Sequence, residues 1–160
     1  MKKEMMLTLM GKVIKVDRGG PESRIGKLLA VEDDYFTILT EEDGIVYYKM
    51  QHIKSLTMDT KSGLKFDMEV PTDLTFLQEC DFKSVVGKLR HEWIKVNRGG
   101  PEMLEGVLDQ VNDDFVTIIS NGEVIRLAMY HIRNISVGPK VENNEENEGN
   151  NKQRKNSTKK

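Results

Sequence analysis

The sequence predicts a mainly β protein built from two tandem copies of one small five-stranded module. The first observation is an internal repeat: residues 14–38 and 94–118 align without a gap, at a spacing of 80, and are identical at 15 of 25 positions. The second is that each copy consists of short β-prone runs separated by glycine, aspartate and asparagine. Together these observations indicate the duplication of one fold unit.

The repeat continues beyond this stretch with a small change of register. His52 corresponds to His131 at a spacing of 79, so the second copy has lost one residue. The loss falls between residues 41–44 of the first copy and 120–122 of the second. A hairpin loop changes length there at little cost, so we expect a turn at this point in both copies.

A short helix is predicted at the start of each copy. Residues 82–92 carry apolar side chains at helical spacing behind Asp81, which is a favourable N-cap residue. Residues 5–12 are the shorter equivalent in the first copy.

Five short strands follow each helix. The first strand leads into a Gly-Gly-Pro turn, and the second contains Gly26 or Gly106, where glycine marks a bend, a bulge or a close backbone approach. The remaining strands are bounded by an Asp-Asp turn, a glycine turn and a break of one turn at the histidine. After the Gly-Gly-Pro turn we predict strands at 25–31, 35–39, 45–50 and 53–57, with the last three repeated at 115–119, 123–129 and 132–137.

A helix followed by five strands, with a one-turn break before the last strand, is the element order of the Sm-like and SH3-like small barrels. The predicted organisation is a first barrel over residues 5–58, a linker over 59–80 and a second barrel over 81–139. The tail, residues 140–160, is rich in asparagine and charge, so we expect it to be disordered.

Composition excludes several functional classes. The net charge is -2 with a pI near 6.0, which does not favour nucleic acid or an acidic membrane as partner. We expect no signal peptide, because Glu4 and Gly11 bound the apolar run near the amino terminus and no cleavage site follows. No segment approaches the roughly 20 apolar residues of a membrane span.

The repeated Arg-Gly-Gly-Pro-Glu segment, called here the RGGPE loop, is the candidate site. It is open to three interpretations: a hairpin loop whose charges are paired, a contact surface for a partner protein, or a phosphate-binding loop. The last is disfavoured because the spacing matches no phosphate-binding motif and no helix follows. The candidate partner-binding residues are Arg18, Gly19, Gly20, Pro21 and Glu22, with Arg98, Gly99, Gly100, Pro101 and Glu102.

No other pattern indicates catalysis, a metal or a cofactor. His52 and His131 belong to different copies, and each copy offers one histidine there and no cysteine, so we expect structural roles. The pairs Asp33-Asp34 and Asp113-Asp114 are predicted turn residues, because adjacent strand residues point to opposite faces. No serine or cysteine nucleophile accompanies a plausible base, so we predict that the protein is not an enzyme.

Cys80 is the single cysteine and cannot form an internal disulfide. It is either a partly buried small apolar residue or the site of an intermolecular disulfide in an oxidised assembly. We therefore treat it as a possible modification site.

If the barrels are Sm-like, RNA binding is the alternative function, because loops of such barrels clamp and stack bases. The acidic turn at residues 32–34 and the absence of an Arg-Gly pair before the last strand argue against it. A barrel that binds a small ligand is a third hypothesis.

The doubled RGGPE motif, each copy followed by Gly, Asp-Asp and His-Ile, resembles the spore coat protein B family of endospore-forming bacilli. The resemblance extends to the strings RGGPES, YYKMQHIKSLT and HIRNISVGPK, and covers about residues 8–140. It implies a structural component of the outer spore coat, made in the mother-cell cytoplasm, with other coat proteins as partners. Longer family members carry a C-terminal region that a coat-associated kinase phosphorylates; here only Ser157 and Thr158 remain in that tail.

Self-association is the activity that suits this resemblance. A small barrel with short strands leaves edges that pair with a neighbouring copy, and a contact between unlike edges propagates instead of closing on itself. We therefore predict a homo-oligomer that displays the RGGPE loops to coat partners.

Overall fold

The computed structural model describes residues 1–61 and 63–137. Over these residues the chain is mainly β, as predicted, with ten strands and two short helices. In the first copy the strands are β1 (Val13–Val16), β2 (Arg24–Val31), β3 (Tyr35–Thr40), β4 (Gly44–Lys49) and β5 (Leu56–Thr57). In the second they are β6 (Trp93–Val96), β7 (Leu104–Val111), β8 (Phe115–Ser120), β9 (Glu123–Ala128) and β10 (Asn134–Ser136).

The two helices, α1 (Lys3–Leu7) and α2 (Phe82–Lys88), are shorter than predicted. Helix α2 begins at the expected N-cap, where the Asp81 side chain accepts a hydrogen bond from the Ser84 amide at 2.7 Å. The prediction that it extends to residue 92 is wrong. Beyond Lys88 the chain turns, and the His91 amide donates to the Leu108 carbonyl at 2.7 Å, so this segment joins the sheet. His91 therefore lies after the helix, with a φ of 72°.

The turns confirm where the two copies differ in length. Strands β3 and β4 are joined by residues 41–43, whereas β8 and β9 are joined by Asn121 and Gly122 alone. These two residues have φ values of 49° and 79°, which the tight two-residue turn of a twisted hairpin requires. A turn of three residues, Met50–His52 or Met129–His131, precedes the last strand of each copy, as the predicted break implies. The prediction that these last strands cover 53–57 and 132–137 is wrong, because β5 and β10 begin only at Leu56 and Asn134.

All ten strands form one antiparallel sheet in the order β5-β1-β2-β3-β4-β10-β6-β7-β8-β9. Within each copy the last strand pairs with the first, as β5 with β1 and β10 with β6. Strand β10 also pairs with β4 of the first copy, and this ladder joins the copies. The closure of each copy into an Sm-like barrel, and the division into two domains with a linker, stay predictions.

Two apolar cores lie along the sheet. The first belongs to the first copy alone, around Ile14, Leu28 and Ile38. The second is centred on the second copy but includes Tyr35 and Tyr47 of the first copy. The linker contributes Phe76 and Leu77 to the second core. The copies are thus joined by shared apolar packing as well as by backbone pairing.

No helix among the described residues is long and apolar enough to span a membrane. The predicted disordered tail lies outside the described residues.

Candidate functional site

The two copies meet at the ladder between β4 and β10, and this region is called here the junction. Ile135 in β10 lies opposite Tyr47 in β4, with Asn134 opposite Tyr48. The Lys49 amide at the end of β4 donates to the Arg133 carbonyl at 2.9 Å, which extends the ladder to the residue before β10. Burial lowers the pKa of Lys49, whose ammonium donates to the Met129 carbonyl of the second copy.

The two RGGPE loops meet at this junction. Gly99 has a φ of 80°, and a methyl group added there would overlap the carbonyl oxygen of Pro21 in the other loop. A methyl group at Gly100 would overlap the side chains of Glu22 and Arg133, which form an ion pair across the junction. These glycines therefore permit the close approach of one loop to the other.

Asp43 joins arginines from both copies. Its carboxylate is fully buried and accepts a hydrogen bond from Arg24 Nε at 2.9 Å within its own copy. On its other side it forms an ion pair with Arg98 of the second RGGPE loop. The backbone amide of Arg98 is also bound, by the side-chain oxygen of Asn134 at 3.1 Å. A buried carboxylate with two charged partners holds loop and sheet together.

The two RGGPE loops consequently have different surroundings. In the first loop the residues from Arg18 to Pro21 are exposed, and Glu22 is half-buried by its contact with the second copy. In the second loop the residues from Arg98 to Gly100 are half-buried, and Pro101 and Glu102 are exposed. The second RGGPE loop is thus partly enclosed at the junction, whereas most of the first RGGPE loop is exposed to solvent.

An aromatic layer covers the junction on the side of the linker. The hydroxyl of Tyr35 donates to the Glu79 carbonyl at 2.7 Å and lies 3.0 Å from the Glu79 amide, which donates to it. The Tyr47 hydroxyl accepts from the Leu77 amide at 2.9 Å. Burial raises the pKa of Tyr47, and it raises that of Tyr35 to about 12. Both hydroxyls are therefore neutral hydrogen-bonding groups at physiological pH.

Two grooves flank the junction. One, of about 550 Å³, lies beside the first RGGPE loop and is lined by Arg18, Lys54 and Arg133 together with Asp17 and Glu22. The other, of about 410 Å³, contains both His52 and His131.

The two equivalent histidines thus face one groove although they belong to different copies. His52 Nε2 lies 2.7 Å from the Tyr130 carbonyl oxygen. In the part of the chain that the structure describes, no three histidine, cysteine, aspartate or glutamate side chains form a cluster suited to a metal ion.

The paired aspartates serve the turns and the helices. Asp33 forms an ion pair with Lys3 at 3.0 Å, and the equivalent Asp113 forms one with Lys83. Asp34 accepts a hydrogen bond from the Phe82 amide at 3.0 Å, which links the first copy to the helix of the second.

Three candidate modification sites remain, of which the structure describes only Cys80. Cys80 is exposed, so the interpretation as a partly buried apolar residue is wrong; the helix begins only at Phe82 and leaves Cys80 in the linker. Ser157 and Thr158 lie outside the described residues.

Two anchoring positions were missed from the sequence. Asp43 is one, because it lies in the loop that changes length and has no counterpart in the second copy. The other is the residue before each RGGPE loop, Asp17 or Asn97. Both have positive φ near 55°, and their side chains accept hydrogen bonds from the amides of Lys54 and Arg133. An Asx residue at the same place in both copies was the available signal, because Asx tolerates this conformation.

Comparison with curated proteins found one that matches this chain. The chain is 40% identical over 132 residues to spore coat protein B of Bacillus subtilis (strain 168). The match covers 82% of this chain, and the chain spans about a third, 34%, of that relative's length. No protein-family model matches, and no solved structure matches. Across the matched region, this chain belongs to the spore coat protein B family.

Proposed function

We propose that the chain is a structural, non-enzymatic component of the bacterial spore coat that acts by self-association and by binding other coat proteins. The observation that carries this proposal is the 40% identity to spore coat protein B over most of the chain. We further propose that the protein is made in the mother-cell cytoplasm and deposited on the forespore.

The geometry of the junction supports a structural role. The charged groups most enclosed there, Asp43 with Arg24 and Arg98, are engaged with one another. The neighbouring pair Glu22 and Arg133 likewise spans the two copies. These charges are therefore used to join the two copies.

The surface proposed for coat partners is the first RGGPE loop with the groove beside it. Arg18, Gly19 and Gly20 are exposed, and Lys54 lines the same groove. Pro101 and Glu102 extend this surface from the second loop. An exposed arginine beside a proline-restrained loop suits recognition of carboxylates on a partner protein.

RNA binding is the alternative function, favoured by one observation. Arg18, Lys54 and Arg133 line a single groove. Two acids share that groove, and one of them, Glu22, is already paired with Arg133. Retention of the chain on immobilised RNA that falls steeply with salt would favour this alternative.

Localisation of a fluorescently tagged copy in sporulating cells tests the proposed function. We expect a shell of fluorescence around the forespore, with the tag alone as the control. Diffuse fluorescence throughout the mother cell at the stage of coat deposition would contradict a coat role.

A further inference from the structure

We propose that successive chains join head to tail, with β5 of one chain pairing antiparallel with β9 of the next in the register by which β10 pairs with β4. This inference rests on the proposed self-association and specifies its geometry. The partner is a second copy of this chain.

The junction inside the chain supplies the pattern. It is formed by the fourth strand of one copy and the fifth strand of the other, β4 and β10. Their counterparts, β9 and β5, are the two end strands of the described sheet, and each is paired on one side only. Unpaired strand edges are templates for pairing with another chain. The two end strands of the sheet, β5 and β9, are thus the repeat counterparts of β10 and β4, which pair with each other inside the chain.

The register between chains follows from the repeat. Ile135 lies opposite Tyr47 at the junction, and their counterparts are Leu56 and Arg126. The Lys49 amide faces β10. Successive amides of a strand point to opposite sides in the plane of the sheet, so the amide of Tyr47, two residues away, faces β10 as well. The Arg126 amide, at the same position in β9, therefore points to the free edge.

Two apolar side chains are exposed in the second copy, whereas their counterparts in the first copy are buried or packed against a core. In the first copy Leu39 is buried, and Ile45 packs against the core of the second copy. Their counterparts, Ile119 and Val124, are 42% and 61% exposed. Docking of a further chain on β9 would cover Val124, as packing on the second core partly covers its counterpart Ile45.

Charge at the two ends is complementary in part. Within the chain, Glu22 forms an ion pair with Arg133. In the repeat, Glu102 corresponds to Glu22 and Lys54 to Arg133, so Glu102 of one chain would pair with Lys54 of the next. The contact made by Asp43 has no equivalent, because the shorter turn at Asn121 lacks that acid. The contact between chains is therefore weaker than the junction within one, so assembly depends on concentration. Since the two edges differ, the contact is heterologous and can be repeated from chain to chain.

Site-directed disulfide formation tests this pairing. All variants carry Cys80→Ser, and one also carries Leu56→Cys while another carries Arg126→Cys. In the proposed register, residues 56 and 126 form a hydrogen-bonded antiparallel pair. The Cα atoms of such a pair lie about 5.5 Å apart, which is within the range of a disulfide. Under mild oxidation, we expect the mixture of the two variants to form covalent dimers and neither variant alone to do so.

A chain with both cysteines extends the test from dimers to polymers. It should give a ladder of covalent oligomers, whereas Leu56→Cys combined with Gln110→Cys should not, because β7 lies inside the sheet. Equal cross-linking in the control, or none with the paired cysteines, would overturn the proposed register.

A proline at the free edge tests the same contact without a disulfide. Arg126→Pro removes an amide that points away from β8, so it should leave the sheet intact and block docking. Arg126→Ala is the matched control, because it removes the same side chain and keeps the amide. By light scattering at high concentration, we expect oligomers from Arg126→Ala and monomers from Arg126→Pro, with unchanged far-ultraviolet circular dichroism. Oligomers from both variants would refute the edge contact.

The localisation experiment separates this inference from the proposed function. A chain that surrounds the forespore but does not cross-link through residues 56 and 126 refutes the strand pairing alone. A chain that cross-links but stays diffuse in the mother cell refutes the coat role and leaves the pairing in place.

Discussion

Asp43 is the residue on which arginines from the two copies converge. Its side chain is 0% exposed and contacts Arg24 and Arg98, whereas the adjacent Glu42 is 73% exposed and lies 3.5 Å from Arg24. Adjacent acids on one loop thus have very different surroundings, which makes them a matched pair for substitution.

Asp43→Asn should lower the free energy of unfolding by about 3 kcal/mol, because it removes the buried negative charge that pairs with two partly buried guanidinium groups. Urea denaturation followed by circular dichroism measures the effect. Glu42→Gln is the control and should change stability by no more than about 0.5 kcal/mol, since an exposed ion pair contributes little. Equal losses for the two variants would show that burial of Asp43 does not decide its role.

Tyr35 makes stability sensitive to alkaline pH. Burial raises its pKa from 10.0 to about 12, so the folded protein holds this proton more tightly than the unfolded chain does. The resulting stabilisation is complete below pH 10 and is lost as the pH rises towards 12. Burial raises the pKa of Tyr47 and Tyr48 as well, and these side chains add to the loss in the same direction.

Tyr35→Phe should therefore reduce the fall in the free energy of unfolding between pH 10 and 12, although it lowers stability at pH 7 by removing the bonds to Glu79. Urea midpoints collected across this pH range measure the slope. Tyr130→Phe alters an exposed tyrosine and should leave the slope unchanged. A slope that Tyr35→Phe does not alter would show that this hydroxyl does not control the alkaline transition.

At the scale of elements, the contact between the two RGGPE loops can be isolated with a pair of glycines. Gly20 and Gly99 have φ values of 79° and 80°, so alanine is similarly strained at both positions. Nothing lies within 4 Å of a methyl group at Gly20, whereas one at Gly99 would overlap the backbone of Pro21. The difference between the two substitutions therefore measures the loop contact.

We expect Gly20→Ala to cost about 1–2 kcal/mol from backbone strain alone. Gly99→Ala should cost about 1–3 kcal/mol more, because the loops must move apart. Thermal or urea unfolding of the two variants side by side gives the difference. Similar costs at both positions would mean that the loops do not support one another.

At the scale of the whole molecule, the shared core predicts that the copies unfold together. Trp93, the single tryptophan, lies in β6 and reports on the second copy. Leu28 is fully buried in the core of the first copy, and its counterpart Leu108 is fully buried in the second core. Because Tyr35 and Tyr47 belong to the second core, unfolding of the first copy removes part of it.

Leu28→Ala should destabilise by about 2–5 kcal/mol and shift the fluorescence transition of Trp93 as far as the circular dichroism transition. Leu108→Ala, in the second copy, should shift both signals in the same way. A Trp93 transition that stays in place in Leu28→Ala would show that the copies unfold independently.

The sequence by itself determined the local structure of each copy. The repeat, the β-prone runs and the turn residues predicted a mainly β fold, the site of the length change, and the strand positions apart from the shorter last strand of each copy, because turn geometry and strand propensity depend on near neighbours. The helices were overestimated, since the pairing of residues 91–92 with β7 overrides the apolar spacing that extends past Lys88.

The tertiary structure decided what the RGGPE loops do. The residues of the two loops are identical, yet the positive φ falls on Gly20 in the first loop and on Gly99 in the second. Arg18 of the first loop is exposed, whereas Arg98 of the second is held by Asp43. The difference arises because β10 pairs with β4 and brings residues 43 and 98 together from distant parts of the chain. Long-range strand pairing is not encoded in either loop, so only the folded sheet distinguishes the copy that supports the junction from the copy that faces outward.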